Sequence, residues 1–240
     1  MISIIIPTLN EESILESTLD SLKKLTNLPY EIIISDGKSK DRTIEIARKY
    51  TDKIVIYNGQ KRQTIGMGRN LGAKEASGDF LLFLDADMHI PDPNTFFTKA
   101  LSFFKNNEKL VGITVYLKVF PEMATIGDKV FFWLFNRMVY FYNNILHYGA
   151  SSGEFQLVRT SAFKKIGGFN ENLVAGEDFE EFSRLSKIGQ TKSIPFLTVL
   201  HTSRRAHKIG WPKLLYSWFI NWLYATFLNK SRITEWEEVR

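Results

Sequence analysis

The chain is predicted to be an α/β protein with a mostly parallel central sheet flanked by helices. Short, uniformly apolar runs such as Ile2–Ile6 and Phe80–Leu84 alternate with segments of helical periodicity, the pattern that βαβ units leave in a sequence. Turn-forming or acidic residues follow those runs directly, where open sheets of this kind place their ligands.

Taken in order, Ile2–Ile6 ends at Pro7 and reads as a strand buried on both faces. Asn10 is expected to cap a helix with Glu11 and Glu12 in its first turn, and Leu15, Leu19, Leu22 and Leu25 carry helical spacing to about Lys24. Tyr30–Ser35 is the second strand, closed by Asp36-Gly37. Asp41 is expected to cap a helix running to about Tyr50, and Lys53–Tyr57 is the third strand. A Gly-rich stretch leads into a helix near Arg69–Ser77, and Phe80–Leu84 is the fourth strand. Beyond Asp87 the reading is a helix over Asn94–Asn106, a strand over Val111–Phe120, and an aromatic helix over Thr125–Tyr148. A strand over Phe155–Arg159, helices over Thr160–Ile166 and Glu177–Ile188, a strand over Ile194–Leu200 and a last helix over Trp211–Leu228 follow.

Composition narrows the function classes. With 240 residues, 44% hydrophobic and 24% charged, the chain can build a sizeable core. One domain over 1–205 is expected, with a nucleotide-binding half (1–90) and an acceptor half (91–205), followed by an amphipathic aromatic helical extension over 206–240. The absence of cysteine removes disulfides and thiolate metal sites. Met1 leads straight into an apolar strand, without a basic leader, so a cytoplasmic location is expected. A net charge of +5 and a pI near 9.2 suit an anionic partner such as a nucleotide diphosphate or an acidic membrane face. No Arg/Lys stripe with interleaved aromatics is present, and nucleic acid is not expected.

The chemistry concentrates after the strands. Asp85-Ala86-Asp87 follows Phe80–Leu84, and residues i and i+2 of an extended chain point to one side. The two carboxylates can share a hard cation, Mg²⁺ or Mn²⁺, with the oxygens of a diphosphate; the bland alternative is a polar strand end. Asp36 can accept a hydrogen bond from a nucleobase N–H, or simply form a turn before Gly37. Pro7-Thr8-Leu9-Asn10-Glu11 fills the first strand-to-helix loop without the glycines of a dinucleotide fold. Lys61, Arg62 and Arg69 could meet phosphates or lie on the surface. Glu177 and Asp178 open a helix, where the macrodipole favours acids, and either could remove a proton from an acceptor hydroxyl. One base without a protein nucleophile means a single displacement with inversion. His201 is a candidate third metal ligand or a structural histidine, and Arg204 and Arg205 beside it suit a diphosphate.

Together these residues resemble the family-2 glycosyltransferases, which have the GT-A nucleotide-diphospho-sugar transferase fold. The resemblance rests on Pro7, Asn10 and Glu11; on Asp36, Gly37, Ser39, Asp41 and Thr43; and on Arg69, Asn70, Gly72, Ala76, Gly78 and Asp79. Asp85 with Asp87, Gly167-Gly168-Phe169, and Glu177-Asp178 complete it. It implies that Asp36 contacts the base, that Asp85 sits near the ribose and the metal, that Asp87 ligates the metal, and that Asp178, ahead of Glu177, is the base. It implies transfer of a sugar from a nucleotide diphosphate donor, UDP ahead of GDP, to an acceptor hydroxyl or phosphate. Gly37 replaces the usual second acid after strand two, and the Gln-x-x-Arg-Trp motif of processive synthases is absent, so a single-transfer enzyme is expected. The competing reading is a non-catalytic nucleotide-sugar binder or membrane-associated scaffold.

The aromatic residues, 14% of the chain, cluster in 125–148 and 211–228. Both segments are too interrupted by polar residues for a membrane span. Peripheral contact with the inner face of a membrane and a homodimer interface remain alternative expectations for them, and the first makes a glycan or polyprenyl-type lipid acceptor attractive.

Overall fold

The computed structural model describes residues 1–228; the part of the expected extension from 229 to 240 lies outside the described residues. Its strands are β1 (Ile2–Thr8), β2 (Tyr30–Asp36), β3 (Ile54–Ile56), β4 (Phe80–Leu84), β5 (Leu110–Val119), β6 (Phe155–Arg159) and β7 (Gln190–His201). They form one sheet in the order β3-β2-β1-β4-β6-β5-β7. The pairs β1/β2, β1/β4, β2/β3 and β5/β7 are parallel. Only β6 runs against its neighbours β4 and β5.

The helices are α1 (Leu15–Lys23), α2 (Thr43–Ala47), α3 (Ile65–Lys74), α4 (Pro93–Lys105), α5 (Ile126–Tyr140), α6 (Thr160–Ile166), α7 (Glu177–Ser186), α8 (Arg204–Ile209) and α9 (Trp211–Leu228), with a π turn over Phe141–Ile145 after α5. The side chains of β1 show why this sheet is covered twice. Ile2, Ile4 and Ile6 pack into one core with Leu15, Leu19 and Phe97, whereas Ile5 packs into a second core with Phe83, Phe163 and Phe182. Buried strands of a parallel sheet show this continuous apolarity.

Several expected boundaries move, for identifiable reasons. Asn10 does not cap α1: it adopts φ 53 and accepts a hydrogen bond from Lys40 N–H at 2.7 Å, while the helix begins at Leu15. Asp41 instead orders the start of α2 by accepting from Thr43 N–H at 3.0 Å, and that helix ends at Ala47 rather than Tyr50. α3 starts before Arg69 because Thr64 accepts from Met67 N–H at 3.2 Å, a cap the Gly-rich stretch concealed. Gly72 lets α3 lie on β1: a Cβ there would stand 2.5 Å from Ile5 Cγ2. The aromatic helix over Thr125–Tyr148 is broken into α5 and the π turn. The expected domain boundary at 205 falls within α8, which the sequence reading did not anticipate.

Candidate active site

The ends of β1, β2 and β4 bring the loop acids together. Thr8 lies opposite Asp36 in the β1/β2 register. Asp36 is fully buried and accepts from Thr8 Oγ1 at 2.8 Å, from Ser39 N–H at 2.7 Å and from Ser39 Oγ at 2.6 Å. Its visible work is thus to lock the two loops. Asn10 N–H donates to Ser39 Oγ and Glu11 N–H to Thr43 Oγ1, each at 2.7 Å, so the Pro7–Glu11 loop is braced against the Asp36–Thr43 loop.

Asp85 and Asp87 each engage a different arginine. Arg69 Nη2 donates to Asp85 Oδ1 at 3.0 Å, and Arg204 Nε to Asp87 Oδ2 at 3.3 Å. Thr202 Oγ1 also donates to Asp87. Ala86 is buried between them, and its carbonyl accepts from Thr18 Oγ1 at 2.6 Å, which anchors the turn to α1. Arg204 reaches Glu11 Oε2 at 3.0 Å as well. It therefore ties the first loop, the acidic turn and the chain after β7 into one wall. Arg205 is half-buried on the first turn of α8, and Lys61 is exposed on the loop before α3.

Arg69 stands elsewhere than a phosphate contact requires. Its side chain is 1% exposed; Nη1 donates to Glu177 Oε1 (2.9 Å) and Nη2 to Asp85 and the Gly153 carbonyl (3.0 Å), while Nε is buried without a hydrogen-bond partner. It lies over the Phe169 ring at 5.3 Å. Gly153 is required for this approach, since a Cβ there would stand 2.3 Å from Arg69 Nη2. Arg69 is thus the cation at the centre of an acidic group rather than a guide for the substrate.

That group contains Asp85, Glu154, Glu177 and Asp178, with Asp87 close enough to act on it. Desolvation raises the Asp85 carboxyl, with Arg69 opposing and Glu154 and Asp87 adding to the rise, while its partial exposure tempers the shift. Glu177 is raised to about 8 by burial and by the charge of Asp178, against the pull of Arg69. Asp178 is raised by burial, opposed by Arg69. Burial also raises Glu154, against a hydrogen bond from Ser152. A carboxylate whose proton affinity is raised toward neutrality is matched to general-base work. Asp85 keeps a 34% exposed side chain despite its arginine, so it faces an opening.

Glu154 is a residue the sequence reading missed. β6 runs antiparallel to β4, with Leu84 opposite Phe155, so the start of β6 lies at the carboxyl end of β4. A lone Glu before an apolar run carries no mark of that reversal. Asp128, a single charge in the aromatic helix, carries no such mark either. It is 1% exposed and accepts from Ser203 Oγ (3.0 Å), His207 (2.7 Å) and Trp211 Nε1 (3.1 Å), which fixes the turn that presents Arg204.

His201 is 6% exposed; its Nδ1 accepts from Ser203 N–H at 3.2 Å, while Nε2 is buried without a hydrogen-bond partner. Burial lowers its pKa, so the ring is neutral. Among the described residues, no group of three or more His, Cys, Asp or Glu is gathered so that it could hold a metal ion by itself. The expected ligand trio of Asp85, Asp87 and His201 is therefore not assembled as a closed cage.

The fold agrees with that of the chain's relatives. The sequence model of glycosyl transferase family 2 matches residues 3–167, and the chain belongs to that family. The chain is 30% identical over 193 residues to the succinoglycan biosynthesis protein ExoA of Rhizobium meliloti, covering 78% of this chain and 58% of the relative. It is 29% identical over 210 residues to a dolichyl N-acetyl-α-D-glucosaminyl phosphate diacetamido-glucuronosyltransferase of Methanococcus voltae, covering 78% and 62%. The chain thus spans less than two thirds of either relative's length. Among solved structures, Staphylococcus aureus TarS with UDP-GlcNAc superposes with a TM-score of 0.66 at 22% identity, over 84% of this chain and 58% of the other. Glucosyl-3-phosphoglycerate synthase of Mycobacterium tuberculosis, with Mn²⁺ and UDP, gives 0.64 at 20% identity, over 98% and 81%. The fold is GT-A.

Proposed function

We propose that this chain is an inverting glycosyltransferase that moves a sugar from a nucleotide diphosphate donor, UDP ahead of GDP, to an acceptor hydroxyl. The observation that carries the proposal is the wall formed by Glu11, Asp87 and Arg204 facing a buried acidic group with Asp178 at a helix start. UDP is supported by TarS and the phosphoglycerate synthase, both solved with uridine nucleotides, although a Pyrobaculum calidifontis mannosyltransferase of the same fold holds GDP-mannose and Mn²⁺.

The residues present fit a divalent cation shared with substrate. Asp85 and Asp87 offer hard oxygens, whereas His201, whose Nδ1 accepts from Ser203 N–H, carries its ring proton on Nε2 and would ligate only after that tautomer changes. An incomplete protein ligand set suits Mg²⁺ or Mn²⁺, which are completed by phosphate oxygens and water. When bound, such an ion supplies charge neutralisation for the departing nucleoside diphosphate.

The protein's own groups do the rest. Arg204, anchored by Glu11 and Asp87, offers guanidinium N–H groups to the diphosphate. Asp178 accepts the proton of the acceptor hydroxyl as its oxygen attacks the anomeric carbon. The bond to the diphosphate oxygen breaks on the opposite face, so configuration inverts. Arg69 holds Glu177 and Asp85 in place and thereby limits where Asp178 can move. The acceptor class, a hydroxyl or phosphate on a glycan or a lipid-linked carrier, is suggested by the names of the relatives.

The test is nucleotide release from UDP- and GDP-sugars with Mn²⁺ or Mg²⁺, with the anomeric configuration of any product read by NMR. Release that is lost in Asp178→Asn, with an inverted product, supports the proposal. Tight donor binding without turnover on any acceptor supports the non-catalytic binder instead.

A further inference from the structure

Away from the acidic site, α5 and the π turn bury several polar side chains and leave large apolar ones in solvent. The inward side of α5 holds Asp128 and Asn136 beside Phe132 and Val139, and the π turn buries Asn143; the three polar residues are 1%, 6% and 0% exposed. Each is satisfied internally: Asn136 exchanges hydrogen bonds with the Leu117 backbone at 3.0 and 2.9 Å, and Asn143 donates to the carbonyls of Val139 and Ala150. The outward face is apolar. Ile126 is 81% exposed, Trp133 61%, Leu134 55% and, on the π turn, Phe141 49%. A helix of a water-facing surface shows the opposite arrangement.

α9 extends this face. Phe131 packs on Trp211 at 4.0 Å and near Trp218 at 5.9 Å, while Tyr216 and Phe219 remain 63% and 56% exposed. The surrounding charge has one sign. Lys129, Arg137, Lys208 and Lys213 are exposed, and neither 129–148 nor 204–228 contains an Asp or Glu. No helix among the described residues is long and apolar enough to cross a membrane.

We propose that the α5/α9 face docks in the plane of an anionic lipid bilayer, its aromatic side chains among the headgroups and its cations on the lipid phosphates. Apolar surface rimmed by Lys and Arg, with Trp and Tyr at the boundary, is what an interfacial helix needs. A second copy of the chain fits less well, because a two-fold contact through this face would set its cations against each other. α8, which carries Arg204, is bonded to α5 through Ser203 and His207 on Asp128. The docked face is therefore tied to the helix that carries Arg204. The docking goes beyond the catalytic reading and does not depend on it.

The test is flotation of the full 240-residue chain with vesicles of phosphatidylcholine alone or containing about 30% phosphatidylglycerol. The chain is expected to float with the anionic vesicles, less with the neutral ones, and less again in salt of about 0.5 M. The combined Trp133→Ser, Leu134→Ser and Phe141→Ser variant is expected to partition at least about tenfold more weakly. Its melting curve should stay close to the parent's, since about half or more of each residue is already in water. Lys129→Glu with Arg137→Glu, a second variant, should lose the preference for anionic vesicles. Recovery at the bottom of the gradient with both vesicles would overturn the proposal, as would a triple variant that floats like the parent. A sedimentation dimer that the triple variant converts to monomer would overturn it in favour of self-association.

Discussion

Replacing Arg69 by Met tests the acidic centre through stability rather than activity. The guanidinium is 1% exposed and its partner Glu177 6% exposed, so above about pH 8, where Glu177 is ionised, the substitution leaves a carboxylate buried without its cation. Removing one partner of a buried ion pair costs about 3–5 kcal/mol. Asp85, at 34% exposure, adds little to this because solvent screens it. At about 2–4 °C per kcal/mol for a chain of this size, Tm should fall by about 6–20 °C. Glu177→Gln in the same chain removes the orphaned charge, so the double variant should recover part of the loss, with a coupling energy of about 0.5–3 kcal/mol. The assay is thermal and urea unfolding of the parent, both single variants and the double variant. An Arg69→Met cost below about 1 kcal/mol, or strictly additive single costs, would refute the assignment of Arg69 as a structural counter-ion.

The remaining predictions follow from neighbouring observations. Glu181 is fully buried, its Oε1 has no hydrogen-bond partner, and burial pushes its carboxyl up to about 8 from the ordinary 4.5. The folded state therefore holds this proton at pH values where the unfolded chain has lost it. Its contribution is fully present below about 4.5 and is lost as pH rises toward about 8; Glu181→Gln should flatten that decline in urea unfolding across this range. Gly72→Ala would place a Cβ 2.5 Å from Ile5 Cγ2, and overpacking of α3 on β1 should cost about 1–3 kcal/mol in the same measurement. Asp178→Asn should lower kcat by about 10²–10⁴ with the donor Kd nearly unchanged, as read by nucleotide release and calorimetry; a parallel loss of donor binding would assign Asp178 to the donor instead of the acceptor.

The parallel half of the sheet was legible because its strands are buried on both faces. Ile2–Ile6 and Phe80–Leu84 carry no polar interruption except Ser3, whose hydroxyl donates to Glu31 and accepts from Gly78 N–H. α1 starts later than its capping pattern predicts because Asn10 spends its side-chain acceptor on Lys40 N–H of the facing loop, a tertiary use that local capping rules do not contain. The same limit hid the role of Arg69. A lone basic residue in a Gly-rich stretch reads as surface or phosphate-binding, and only the close passage of Gly153 and α7 shows that it is enclosed. Glu154 was invisible because its place depends on the reversal of β6. The exposed apolar surface of α5 was half visible: its aromatics were evident, but which of them face outward depended on where Asn136 and Asn143 find their partners.

The central claim is that the acidic turn after β4 holds a divalent cation together with a nucleoside diphosphate. Calorimetric titration of UDP into the protein, with and without Mn²⁺, tests it most directly, using the parent and Asp87→Ala. Saturable binding that needs Mn²⁺ and is lost in the variant is the predicted result. Equal heats with and without the metal, or binding that survives Asp87→Ala unchanged, would contradict it.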